Sequence, residues 1–157
     1  MEKLIDKIKK DCSSFEGFNM MSIPGFDSYL IGVDQKDNIV FMIKPNKESE
    51  TKTVNSSRGK YLDIFYDMEC QITANGKVVS DNFTILNLKT TNNFFEKIFY
   101  SICQDLVIIL GDTPSYISVV EFLEVLRDLF RKTLIKASKT EIGLWGELFI
   151  IASSNNF

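Results

Sequence analysis

The hexapeptide Gly143-Leu144-Trp145-Gly146-Glu147-Leu148 sets one carboxylate inside an otherwise apolar run, with two glycines three residues apart. An ionised carboxylate in such surroundings needs a cation, a metal ion or a raised pKa, so Glu147 is the residue best placed for acid, base or metal chemistry. Other chemistries are closed off. The 157 residues contain no histidine, which excludes Ser-His-Asp and Cys-His catalysis and histidine-ligated metals within them. Cys12, Cys70 and Cys103 are odd in number, far apart and without CxxC spacing. They are expected to be reduced thiols in a cytoplasmic setting, forming neither a disulfide framework nor a zinc site.

A helix must hold that hexapeptide. Ser138 and Glu141 form an S-x-x-E capping pattern, so a helix is expected to begin near residue 139 or 140. Each interior glycine costs about 1 kcal/mol relative to alanine, and Gly143 and Gly146 share one face, where a bare surface admits another backbone or a bulky ring. Ile142, Trp145, Phe149 and Ala152 line one side, and Leu144, Leu148 and Ile151 another. The helix is therefore apolar over most of its circumference and is expected to be buried.

Other candidate groups have ordinary explanations. The (D/E)-x-K triplets Asp34-Gln35-Lys36 and Glu50-Thr51-Lys52 are matches that chance supplies in a chain with 21 acids. Both fall in expected turn or loop, whereas metal-assisted hydrolysis needs carboxylates and lysine converging from a rigid strand. Arg131, Lys132, Lys136 and Lys139 form a basic cluster, but the nearby Glu121, Glu124 and Asp128 make it read as a charged helix face. Phe94, Phe95, Phe99 and Tyr100 have helical spacing; they suit core packing better than base stacking.

The elements that would carry these groups follow from periodicity. Leu4, Ile5 and Ile8 mark an amphipathic helix over residues 2–11. Pro24 and Gly25 break the chain, after which SYLIGVD and NIVFMIKP read as a hairpin joined by QKD. Residues 46–59 are polar without apolar periodicity and read as a mobile loop. Leu62, Ile64, Tyr66, Met68, Cys70 and Ile72 alternate along a long strand, and Asn75-Gly76 suits a type I′ turn into its partner FTILNLKT.

From Asn92 the period changes to that of a helix, with Phe95, Ile98, Phe99, Ile102, Leu106 and Ile109 on one stripe and Gly111 as its stop. Thr113-Pro114, or Ser118 with Glu121, would cap the following helix, which turns Phe122, Val125, Leu126, Leu129 and Leu134 inward. The expected fold is α+β: an antiparallel sheet of four or five strands within residues 26–90, then three helices. A β-rich region, 1–90, and a helical region, 91–157, would form one compact unit.

With 45% hydrophobic and 25% charged residues, the composition is globular. A net charge of -3 supplies no global field for nucleic acid, so such a role requires a local patch. No signal peptide or apolar run long enough to span a membrane is present.

The segment TEIGLWGELFIIA follows a long amphipathic helix and a β-rich half, and it resembles the GL-aromatic-GEL signature of PD-(D/E)XK family members, a bacterial group related to restriction-type nucleases. That resemblance implies Mg²⁺-dependent phosphodiester hydrolysis of DNA, in restriction or phage defence, with Glu147 assisting metal binding or positioning the site. In such proteins the helix bearing this glutamate opens the nuclease core, and the Asp and (D/E)-x-K positions lie on later strands. Only ten residues follow Glu147, none acidic or basic. The chain is thus expected to be the N-terminal, non-catalytic portion of such a protein. The alternative is a self-contained module that binds a protein partner and has no enzymatic activity.

Overall fold

The computed structural model describes residues 1–11, 17–46, 54–74 and 77–136, with side chains at 1–9, 17–46, 54–73 and 78–128. These fall into two compact units, Met1–Val120 and the part of Glu121–Phe157 that is described. The element order is α1 (Glu2–Asp11), β1 (Phe18–Ile23), β2 (Phe26–Asp34), β3 (Ile39–Ile43), β4 (Ser57–Arg58), β5 (Leu62–Ala74), β6 (Lys77–Leu88), α2 (Asn93–Leu110) and α3 (Tyr116–Lys136). The architecture is α+β, as the strand-then-helix order implies.

In the first unit the six strands form one antiparallel sheet in the order β1-β2-β3-β6-β5-β4. That is slightly more than the expected four or five. The additional strands are β1, read as lying outside the sheet, and β4, read as part of a mobile loop. Ser57–Arg58 pairs with Ile64 and Asp63, and Asn46 bridges to Ser115, while residues 47–53 lie outside the described residues. The β2–β3 hairpin turns through Gln35–Asp37 as expected, with Asp37 in the left-handed region at φ 61°. The pairing of Ala74 with Lys77 leaves a two-residue connection, Asn75-Gly76, outside the described residues.

One sheet face is covered by helices. Tyr29, Ile31 and Val33 of β2, Ile39, Phe41 and Ile43 of β3, and Leu86 and Leu88 of β6 are buried there. Tyr29 reaches the end of α2, and α1 lies beside the start of α2 through Lys9–Glu96. α2 begins at an Asn92 cap, whose side chain accepts from the Phe94 amide, and stops at Gly111, as the sequence predicts.

The inward stripe of α2 differs by part of a turn: Phe99, Tyr100, Cys103, Leu106 and Val107 are buried, whereas Ile109 is 65% exposed. The α3 cap is also corrected. Ser115, rather than Thr113 or Ser118, begins the helix, its hydroxyl accepting from the Ser118 amide at 3.1 Å. In the second unit Leu123 and Leu126 are buried and Val125 is 63% exposed, so Leu123 takes the inward place read for Val125. The side chains of Leu129 and Leu134 lie outside the described residues.

Candidate functional site

Glu147, its helix and the Ser138–Glu141 cap lie outside the described residues, as do Glu50-Thr51-Lys52, Cys12 and Lys139. α3 extends to Lys136, but the side chains of Arg131, Lys132 and Lys136 are outside the description. Among the described residues no three carboxylates or thiols converge on a point where a metal ion would bind. They do not fit a Mg²⁺ site.

The triplet at Asp34 is a turn device. Asp34 Oδ1 accepts from the amides of Lys36 at 2.8 Å and Asn38 at 3.0 Å, and Oδ2 accepts from the Asn38 side chain at 2.9 Å and from Asn87 at 3.4 Å. Burial pushes the carboxyl up, but the bonds from Asn38, Lys36 and Asn87 together outweigh it and hold the group below its ordinary value. Lys36 contributes its amide and its side chain is exposed, so no carboxylate–lysine pair forms there.

The sheet face away from the helices carries the first of two surface features. Leu62 and Ile64 lie opposite Leu88 and Leu86, on the helix-covered face. The register then shifts between Phe65 and Met68, where Asp67 adopts φ 54°, and Met68 pairs with Phe83 on the other face. One inserted residue therefore turns Met68, Cys70 and Ile72 away from the helices. Cys70 and Ile72 join Val40, Met42, Phe83, Ile85, Met20, Leu30 and Phe65 in a second apolar cluster built entirely by strands, while Met68 stays exposed.

Between β1 and the distal half of β5 this cluster opens into a hollow of about 500 Å³, lined by Phe18, Met20, Leu30, Met42, Cys70 and Ile72 with Gln71 and Thr73 at the side. Gly32 makes the close approach of β1 to β2 possible. A Cβ there would sit 1.9 Å from the Asn19 carbonyl oxygen, so only glycine lets β1 come that close over β2. Burial pushes the Cys70 thiol above its ordinary pKa and that of Cys103 well above. Both are free thiols, and neither is primed as a nucleophile.

The second feature is a ledge where β4 and the turn into β5 meet the start of α2. The Lys89 amide donates to the Tyr61 carbonyl at 2.8 Å, and its ammonium lies 2.8 Å from the buried Asp63 carboxylate. The same ammonium donates to the Gly59 carbonyl, tying Arg58–Tyr61 to the strand end. Tyr61 stacks on Phe95 with ring centroids 5.2 Å apart, and Phe94 meets Phe95 edge-on at 5.8 Å. Lys60 lies over the Tyr61 ring at 4.8 Å and Arg58 over Phe65 at 5.8 Å.

The aromatic stripe of α2 is thus divided by its structure. Phe99 and Tyr100 are core residues, as expected, but Phe94 is 48% exposed and Phe95 joins the ledge. Arg58, Lys60 and Tyr61 were not singled out by sequence. The signal present was RGKY, two cations beside a tyrosine, and its significance depends on the fold bringing Phe95 against it.

The first unit is a six-stranded antiparallel sheet with helices on one face, an apolar hollow on the other and an aromatic ledge at Tyr61, Phe94 and Phe95. A family model described as "Putative PD-(D/E)XK family member, (DUF4420)" matches residues 8–156, and the chain belongs to that family. No curated protein and no solved structure matches the chain. Among the described residues, no helix is long and apolar enough to cross a membrane.

Proposed function

We propose that this chain is the N-terminal, non-catalytic portion of a PD-(D/E)XK nuclease-like protein that acts on DNA in restriction or phage defence in the bacterial cytoplasm. The observation that supports this reading is the family match over residues 8–156. In it, the sheet unit supplies a recognition or docking surface, and Glu147 assists or positions a Mg²⁺ site completed by carboxylates and a lysine outside the described residues. When bound, Mg²⁺ would neutralise phosphate charge and activate water. The described residues lack a ligand set for it, so no hydrolytic step is assigned to them.

The test uses the longest naturally encoded form that contains this chain. Mg²⁺-dependent cleavage of DNA by the wild type, lost in Glu147→Ala and in Glu147→Gln, is the expected result. Cleavage unchanged by both substitutions removes Glu147 from the site, and no metal-dependent cleavage by the wild type overturns the nuclease reading. Reading the encoding frame past Phe157 adds an independent check, since strands bearing Asp and (D/E)-x-K are expected there.

A second reading, a protein-interaction module without enzymatic activity, is supported by the hollow between β1 and β5. Its walls expose Phe18 and place Met20, Met42 and Ile72 within reach of an apolar side chain. A stop codon directly after Phe157, with no DNA binding by the chain, would favour it.

A further inference from the structure

We infer that the hollow between β1 and β5 takes an extended peptide segment of a protein partner, apolar at alternate positions and flanked by lysine or arginine, which adds as a strand to the free edge of β5. The inference rests on the reading of the sheet unit as a docking surface and names the chemistry of what docks there.

The lining of the hollow identifies which part of β5 faces it. Successive side chains of a strand point to opposite faces, so a space on one face touches every second residue. Here Cys70, Gln71, Ile72 and Thr73 all line it. A space touched by consecutive residues lies against the edge of the strand. One edge of β5 is held by β6 along Met68–Ala74, and among the described residues none of β6 lines the hollow. The other edge pairs with β4 at Asp63 and Ile64, and among the described residues it has no strand neighbour past the register shift that ends at Met68. That open edge forms one wall of the hollow.

An open edge presents backbone donors and acceptors at the spacing of another strand. A segment laid along it completes those bonds, and its alternate side chains enter the space between Leu30, Met42 and the opposite wall of Phe18 and Met20. Phe18 is 43% exposed there and would be covered. About 500 Å³ is the size of a site for a short segment rather than for the flat face of a folded domain.

Charge selects among segments. None of the lining residues is charged, which disfavours a phosphate or a carboxylate inside. Asp67 and Glu69 stand on the stretch of β5 that leads into the hollow, both exposed, and Lys44, just past β3, is already paired with Asp81. A cationic flank complements this mouth, and an anionic one is repelled.

The experiment measures fluorescence anisotropy of labelled Lys-Val-Thr-Val-Thr-Val-Lys with the full chain, and of two further probes with Leu or Phe in place of Val. Saturable binding of at least one probe is expected, with slowed amide exchange within Met68–Thr73. A probe N-methylated at alternate residues along the edge that meets β5 should bind about tenfold more weakly or worse, and one methylated along its other edge should keep its affinity. Phe18→Ala should weaken binding about 5- to 10-fold, the loss of roughly half a ring's burial.

Glu69→Lys should weaken binding about 2- to 5-fold and strengthen that of a probe flanked by glutamates. Lys3→Ala with Lys7→Ala, on the exposed side of α1, should change nothing. All variants are at exposed positions, and thermal melting confirms their fold. No binding by any probe, equal effects of the two methylation patterns, or protection that spares β5 each overturns the inference. Binding with protection elsewhere leaves the docking reading standing while removing this one. Absence of binding beside Glu147-dependent cleavage removes this inference and leaves the nuclease reading intact.

Discussion

The phenol of Tyr29, in the middle of β2, donates a 2.7 Å hydrogen bond to the carbonyl of Gly111, the residue that stops α2 82 positions later. Beside it the Ser28 hydroxyl donates to the Asp112 carbonyl at 2.8 Å. The end of α2 is thus fastened to the sheet by two side chains of one strand. Tyr29→Phe keeps the ring packing against Phe41 and removes the bond, and should lower the unfolding free energy by about 1 kcal/mol in urea titrations. A value indistinguishable from wild type would show that the fastening is energetically idle.

The same group makes stability sensitive to alkali. Burial, with the Asp112 carboxylate adding to it, pushes the Tyr29 phenol from 10.0 up to about 12. A raised value means that the fold prefers the protonated phenol. Its contribution is complete below pH 10 and is lost as pH rises towards 12. Urea midpoints measured across that window should fall more steeply for wild type than for Tyr29→Phe, and parallel curves would refute the assignment.

Gly32→Ala tests the close packing of β1 on β2. The new methyl would stand 1.9 Å from the Asn19 carbonyl and 2.7 Å from Met20 Sδ, so β1 must move off β2. A loss of about 2 kcal/mol or more is expected, at the upper end of overpacking costs, together with rapid amide exchange confined to Phe18–Ile23. A variant of wild-type stability would mean that β1 packs elsewhere.

Thr84 is fully buried on the helix-covered face of β6, and its hydroxyl has no hydrogen-bond partner among the described residues. A hydroxyl taken from water without compensation opposes folding. Thr84→Val should therefore stabilise, by roughly 1 kcal/mol, where the same exchange at a bonded threonine would destabilise. A lower thermal midpoint would reveal a partner for the hydroxyl.

Asp34→Asn should cost roughly 1 kcal/mol at neutral pH, the net value of a few charge-assisted bonds at a partly exposed turn. The wild-type carboxyl is held below its ordinary 3.8, so the fold prefers it ionised. That contribution is present above pH 3.8 and disappears as pH falls further. The stability gap between the two proteins should close in strong acid, and a gap that persists there would assign the loss to geometry rather than charge.

Much of the architecture follows from local pattern. The α1 span, the β2–β3 hairpin, the pairing of β5 with β6, the Asn92 cap and the Gly111 stop all lie within a few residues of the signals that specify them. Three features did not read locally. Phe18–Ile23 lacks clean alternation and becomes a strand because Gly32 lets it lie close on β2. Ser57–Arg58 is too short to carry a pattern and exists through pairing with β5. The unbroken alternation from Leu62 to Ile72 suggests one buried stripe, and the insertion at Asp67 divides it between two faces.

The sites divide in the same way. Glu147 attracts notice from composition alone, because a carboxylate within an apolar run demands compensation wherever it folds, and the hexapeptide around it carries the family resemblance. Family membership was legible in that short signature because it is contiguous. The ledge was not, since neither RGKY nor the Phe94-Phe95 pair means anything until Tyr61 and Phe95, 34 positions apart in the sequence, stack at 5.2 Å. Period, caps and turns are set by near neighbours and are written in the chain. Which rings meet, which cations share a surface and which face a strand presents depend on pairings between distant residues, and only the assembled sheet decides them.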